Sequence, residues 1–412
     1  MLLHSAEGRP TARVTTRSVS LVVVALGAVG LALLSAFWVP WSTAPVVPVG
    51  LEDELFTATH LARVDEYTDR ARFWSWTSLV LTLLWYVVVA SSTRVRAWFG
   101  QWRGPWWMTS ALAVGLLLLG QRLITLPLSY GAFRNRVDHG ISTQDWTGWL
   151  RDVGVGLASS IVVQVLLVLL VLGALRRLPR FWPVLVGCVL AVLVVSGSWL
   201  YPVFVEPLHN QFSPLPQGEL RDAVMALAQD EGVDVGDVVV ADASRRTTTY
   251  NAWVSGFGST RRIVLHDTLV EELPRGQVLA VVAHELAHAR HQHVLTGTLL
   301  GASGAVLGAG LLGLLLPRRQ KGAGGVPLVM LLVLVGLQVS APVQSGVSRS
   351  MEREADRTAV QVTGDPESFV TVQVSLATRA LSDPRPPRWS QFLWGTHPTV
   401  LERVDYARRG VN

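Results

Sequence analysis

Long apolar runs alternate along this chain with short basic clusters and a few longer polar segments. Seven of the runs reach or approach the length that crosses a hydrocarbon core of about 30 Å: Val19 to Val39, Trp74 to Ala90, Trp106 to Ile124, Val153 to Leu175, Phe181 to Tyr201, Val294 to Leu316 and Gly325 to Ser340. The second and the last are short. Lipid offers no water to unpaired backbone N–H and C=O groups, so all seven are expected as helices. Trp74, Trp76, Trp106, Trp107 and Trp182 fall at run ends and are expected as interfacial anchors. Arg9, Arg13 and Arg17 precede the first run as they would in a signal peptide. An apolar run of about twenty residues exceeds the usual signal core, so a retained helix is expected. Arg122, near the end of the third run, is expected to snorkel to the interface rather than to line a polar cavity.

Two polar segments interrupt this pattern, one between the fifth and sixth spans and one after the seventh. Together they are large enough for one small domain. The expected division is a membrane region over 1–202 with five spans, a first catalytic segment over 203–293, two spans over 294–346, and a second catalytic segment over 347–412. In the first, Pro214 to Gly218 reads as a stiff turn before an amphipathic helix at about Glu219 to Gln229. Strands are expected at Val238 to Val240, Asn251 to Phe257 and Arg262 to Leu265, with a hairpin turn at Gly256 to Ser259. An exposed edge of such a sheet would bind an extended peptide by strand addition. The fold class is therefore a mainly α membrane protein with seven transmembrane helices and a small α+β domain.

Composition agrees with a membrane class, since half of the 412 residues are hydrophobic and only 16% are charged. The single cysteine, Cys188, excludes an intrachain disulfide. A net charge of +5 raises nucleic acid as a partner, but the basic residues lie in short clusters between apolar runs, which fits membrane flanks and excludes that reading. The N-terminal segment and the loops Arg94 to Arg103, Arg176 to Arg180 and Arg318 to Lys321 share one side and carry three Lys/Arg each, with Glu7 the only acid. On the other side, Pro40 to Phe73 carries six acids against three arginines, and Leu128 to Asp152 is balanced. The basic side is expected to be cytoplasmic, which puts both catalytic segments and Asn412 outside the cytoplasm, in a plasma-membrane protein. No glycine-rich phosphate loop in a strand-helix context and no internal repeat is present.

The chemistry concentrates at His284-Glu285-Leu286-Ala287-His288. Four helical residues turn through about 400° and rise about 6 Å, so both imidazoles leave one face, in reach of one metal ion. The apolar run Gly276 to Ala283 after Pro274 reads as the buried start of that helix. Zinc needs a third protein ligand and an open position. His291 lies about 10 Å along a straight helix from His284, so it and His293 are expected as exposed helix-end residues. Glu352 is the better donor, on a helix expected from about Arg349 to Val362, with Asp356 one turn on to orient an imidazole. The bland alternative is a pair of ordinary charged helices.

These residues resemble the integral-membrane zinc metalloproteases of the CAAX prenyl endopeptidase type I group, relatives of the heat-shock membrane protease HtpX. The similarity runs from about Asn210 to Val404 through Phe212 to Leu220, Asn251-Ala252, Arg262 to Leu265, His284 to His288, Ser348-Arg349, Glu352 to Asp356 and His397 to Arg403. The resemblance implies a helical bundle around a cavity capped by a gluzincin-like domain. It also implies Glu352 as third ligand, Asn251 and Ala252 on substrate backbone, and His397 with Arg403 near the reacting carbonyl. The family pattern has glycine where Ala287 stands, a tolerable change. The eukaryotic prenyl enzymes face the cytosol, whereas the charge count here places the site outside.

The expected activity is that of a zinc-dependent endopeptidase, with one Zn2+ per chain on His284, His288 and Glu352. Glu285 would act as general base, and His397 or Arg403 would stabilise the oxyanion. Its partners are the bilayer and a peptide or protein substrate, lipid-modified or membrane-associated. The rival is a membrane transporter or scaffold with a degenerate metal site.

Overall fold

The computed structural model describes residues 14–41, 47–202, 206, 211–256, 258–317 and 320–409. Glu7, Arg9, Arg13, Asn210, Phe257, Arg318, Arg319 and Asn412, all used above, lie outside them. The helices in chain order are α1 (Thr16–Trp38), α2 (Leu51–Leu55), α3 (Ala58–Ser91), α4 (Thr93–Gly100), α5 (Trp106–Asp138), α6 (Trp146–Arg177) and α7 (Trp182–Leu200). After these come α8 (Glu219–Asp230), α9 (Asp267–Glu272), α10 (Arg275–Arg290), α11 (His293–Leu315), α12 (Val326–Thr363), α13 (Pro366–Ala380), α14 (Arg388–Trp394) and α15 (Val400–Arg409). Among the described residues, seven helices are long and apolar enough to cross a membrane: α1, α3, α5, α6, α7, α11 and α12.

Several of these helices outrun the bilayer. α3 begins at Ala58 rather than Trp74, and α5 continues to Asp138 rather than ending at Ile124. At 1.5 Å per residue α3 is about 50 Å long, well beyond a core of about 30 Å. The polar extensions stay helical with the help of ion pairs one turn apart, Glu66 to Arg70 and Arg134 to Asp138, each at 2.7 Å. The helix expected to start near Arg349 is the last part of α12, which runs unbroken through Pro342 from the seventh span.

One other expectation is corrected. Trp182 is 1% exposed and packs in the membrane core with Leu172, Leu175 and Val186, so it is no interfacial anchor. The short α6–α7 turn tucks it inward. Arg122 extends along α5, with its Nε enclosed and its Nη2 3.5 Å from Ser129 Oγ.

Four strands, β1 (Phe212–Pro214), β2 (Asp237–Ala241), β3 (Ala252–Ser255) and β4 (Arg262–His266), form one sheet in the order β1-β2-β4-β3. β2 and β4 are parallel, and the outer pairs are antiparallel. The β3–β4 connection needs Gly256, at φ +86°, where a Cβ would sit 2.3 Å from the Thr260 carbonyl oxygen. The sheet, α8, α10, the end of α12 and α13 share a core that includes Val238, Ile263, Leu265, Val278, Ala283, Leu286, Ala359 and Phe369.

The two sets of loops separated by charge are each contiguous. Leu51 and Phe56 pack on Val400, Leu401 and Val404, and Glu52 pairs with Arg385 and Glu54 with Arg408. Thr247 and Thr248 bond the carbonyls of Ile141 and Gly140. In the other set, Arg176 donates to the Lys321 carbonyl at 2.8 Å and stacks on Trp106.

The first helix is built into the bundle through small residues that let backbones touch, as in other membrane helix pairs. A Cβ on Gly27 of α1 would lie 2.5 Å from the Leu307 nitrogen of α11, and one on Gly310 would lie 2.7 Å from the Val24 nitrogen. Gly304, on the same helix, has nothing within 4 Å. Gly27→Val and Gly310→Val are each expected to destabilise the protein by about 1–3 kcal/mol, while Gly304→Val is neutral in packing. Thermal unfolding in detergent would separate them by a lower midpoint for the first two alone.

Candidate metal centre

α10 starts after Pro274 and is pinned by Val278, Val282 and Leu286, all fully buried, so its His284–His288 face is fixed against the core. Glu352 reaches that face from α12. His284 Nε2 and His288 Nε2 are 3.2 Å apart, and they lie 3.2 Å and 3.4 Å from Glu352 Oε2 and Oε1. These three residues form a group able to hold a metal ion. Ala287, where the family pattern has glycine, is fully buried without disturbing the helix.

The polar atoms around this point bear on whether it fits a cation. Glu352 Oε2 is buried without a hydrogen bond. His284 Nδ1 lies 2.9 Å from Asp356 Oδ1. A carboxylate only accepts, so Nδ1 carries a hydrogen and Nε2, on the Glu352 side, is the nitrogen a metal would take. Burial opposes charging His284, but the adjoining Asp356 and Glu352 carboxylates outweigh it and raise its pKa to about 10. His288 moves the other way, to about 3, through burial and the neighbouring His284 charge. Two nitrogen donors and a carboxylate with an orphaned oxygen fit a divalent metal of the zinc kind.

Glu285 follows His284 on α10 and is partly accessible. Burial first, and then the Glu352 charge, raise its pKa to about 7, against the pull of His284 and Arg403. Arg403 is committed to Asp356 in a two-pronged pair, Nε to Oδ2 at 2.9 Å and Nη2 to Oδ1 at 2.5 Å, and its Nη2 is 3.4 Å from His284 Nδ1. His397 differs, with a side chain 60% exposed and Nε2 3.4 Å from Glu352 Oε1. Its loop is held by Gln391, whose amide donates to the His397 carbonyl at 2.7 Å, and by Arg349, which donates to the carbonyls of Gln391 and Gly395.

β3 has a partner on one side only and packs against α10. Asn251 precedes it, exposed, with its carbonyl taken by the His266 N–H at 2.9 Å, and Ala252 is buried opposite Leu265. The strand is anchored by Glu206, which accepts from Trp253 Nε1, Ser255 Oγ and Arg262 Nη2.

His291 and His293 are not exposed helix ends. His293 is 4% exposed in its side chain and His291 is 30% exposed, with a bond to Thr358. The straight-helix assumption fails at Gln292, whose φ of 55° breaks the chain between α10 and α11. Glu354, bonded to His293, is a site neighbour that the sequence reading missed. Its signal was its place two residues from Glu352.

A helical membrane bundle bearing two imidazoles, a carboxylate donor and an adjacent carboxylate defines a membrane metal-dependent hydrolase. Residues 214–410 match peptidase family M48, and residues 41–211 match the CAAX prenyl protease N-terminal region of five membrane helices. The chain belongs to this family and is a membrane-embedded metalloprotease, which sets aside the transporter or scaffold reading. An uncharacterized metalloprotease of Bacillus subtilis, YhfN, is 26% identical over 86% of this chain and 87% of its own. A CAAX prenyl protease 1 homolog of Oryza sativa is 28% identical over 72% of each chain. The crystal structure of S. mikatae Ste24p shares the fold with a TM-score of 0.76 at 21% identity, over 97% of this chain and all of that one. The family implies a metal cofactor and a peptide or protein substrate at a lipid bilayer.

Asp356→Asn removes the charge that both Arg403 and His284 lean on. It is expected to weaken metal affinity by roughly 10- to 100-fold in a chain that still folds, with a lower thermal midpoint. Competition with a chelator measures this, and an unchanged affinity would take Asp356 out of the site's support.

Proposed function

We propose that the chain is a zinc endopeptidase of gluzincin type, with one Zn2+ held by His284, His288 and Glu352. The observation that carries the proposal is the convergence of both Nε2 atoms on a buried Glu352 whose Oε2 has no hydrogen bond. When bound, zinc supplies Lewis acidity that acidifies water and polarises a carbonyl. Glu285, raised to about 7, accepts the proton of the attacking water and returns it to the leaving amine. His397 is free to donate to the developing oxyanion, whereas Arg403, committed to Asp356, steadies His284. Substrate backbone adds to the free edge of β3 at Asn251 and Ala252. The prenyl protease named among the relatives supports a lipid-modified or membrane-associated polypeptide as substrate.

The decisive variant is Glu285→Gln, which keeps shape and removes the proton acceptor. Turnover of a peptide substrate should fall by roughly 10²-fold or more, with zinc retained near one per chain. Glu352→Ala, in contrast, should lose the zinc on metal analysis. Normal peptidase activity in zinc-loaded Glu285→Gln protein would overturn the mechanism.

The charge asymmetry supports a plasma-membrane protein with its catalytic segments outside the cytoplasm. A cysteine placed at exposed Ser244, in a Cys188→Ser background, should react with a membrane-impermeant thiol reagent on intact cells. Labelling only after lysis would reverse the orientation.

A further inference from the structure

The tautomer of His284 is set by Asp356, but His288 has no carboxylate of its own. Its Nδ1 lies 2.9 Å from His293 Nδ1, and His293 Nε2 lies 2.8 Å from Glu354 Oε2. With both rings neutral, one assignment of hydrogens satisfies this row. Glu354 accepts, so His293 carries its hydrogen on Nε2 and leaves Nδ1 as an acceptor. His288 must then donate from Nδ1, which leaves its Nε2 lone pair directed at Glu352 and His284.

We propose that His293 and Glu354 are positioning residues that fix His288 in its metal-binding tautomer and ring orientation. The inference rests on the zinc reading above. Five residues along a continuous helix turn through about 500°, which would carry His293 well off the His288 face. The left-handed turn at Gln292 brings it back. That conformation is costly for a residue with a Cβ, so the surrounding contacts have to hold it. The row is enclosed: His293 is 4% exposed, and His291 stacks on it at 5.7 Å with 21° between rings while its Nε2 bonds Thr358 Oγ1 at 2.8 Å. Glu354 is 30% exposed at the outer end.

The test is zinc affinity of the full chain in detergent, measured by chelator competition, with the thermal midpoint followed in parallel. His293→Ala should raise the Kd for zinc roughly 10- to 100-fold, and Glu354→Ala should raise it by less. His293→Asn, whose Oδ1 can accept where Nδ1 did, should restore most of the affinity. Glu354→Ala should add nothing in the His293→Ala background, because it acts only through that ring. A wild-type Kd in folded His293→Ala protein, or full additivity of the two substitutions, would overturn the row. The partly exposed Glu354→Ala keeps the test open should His293→Ala not fold. If the wild-type chain bound zinc no more tightly than Glu352→Ala, the zinc reading itself would fail, and the row with it.

Discussion

The structure depends on one meeting of helices. α10 brings two imidazoles and α12 brings one carboxylate, and a membrane hairpin separates them in sequence. Small residues make the approach possible: Ala283 and Ala359 are fully buried in one core with Leu286 and Val360. Direction comes from Asp356, which accepts from Arg403 of α15 and from His284 of α10 while sitting on α12. Three helices thus share one carboxylate. Removing one partner of such a buried ion pair costs about 3–5 kcal/mol, because the survivor is left charged and unpaired. Stability and site geometry therefore rest on the same group.

The site's charge distribution follows from that arrangement. Arg403 is matched to Asp356, so Glu352 is the carboxylate left facing the imidazole nitrogens of His284, His288 and His397. Glu285 lies next to this centre, and enclosure by protein raises it to about 7. A carboxyl group poised near neutrality can both take and return a proton, which a strongly acidic one does poorly. The donor set of the proposed metal centre and the carboxyl group beside it thus follow from one arrangement of charges.

Much of this was legible in the sequence, because four-residue spacings on a helix fix a shared face whatever the tertiary context. His284 with His288, and Glu352 with Asp356, are of that kind. What was not legible involved breaks and continuations of helices. Hydropathy ends a span at the first charges, yet α3 and α5 continue as helix because Glu66–Arg70 and Arg134–Asp138 pairs stabilise their polar turns. The seventh span and the Glu352 helix are one element through Pro342, since a proline removes one hydrogen bond without ending a helix that its neighbours support. His293 was misplaced because nothing in the residue type of Gln292 announces a left-handed backbone.

The charges that separate the two sides of the chain also have structural partners, unequally. On the side of the catalytic segments, Glu52, Glu54 and Asp383 are spent on Arg385, Arg408 and Arg72. Those acids dock the α2–α3 extension onto the C-terminal helices, so they are held by the fold as well as by any membrane potential. On the other side, Arg94, Arg96, Arg103, Arg176, Arg177 and Arg180 make no ion pair with a carboxylate among the described residues, and Arg176 instead bonds a carbonyl and covers Trp106. Among the described residues that face carries these arginines and no acid, so its positive charge is uncompensated. It is that residue of charge, after the internal pairs are discounted, that an anionic leaflet would attract.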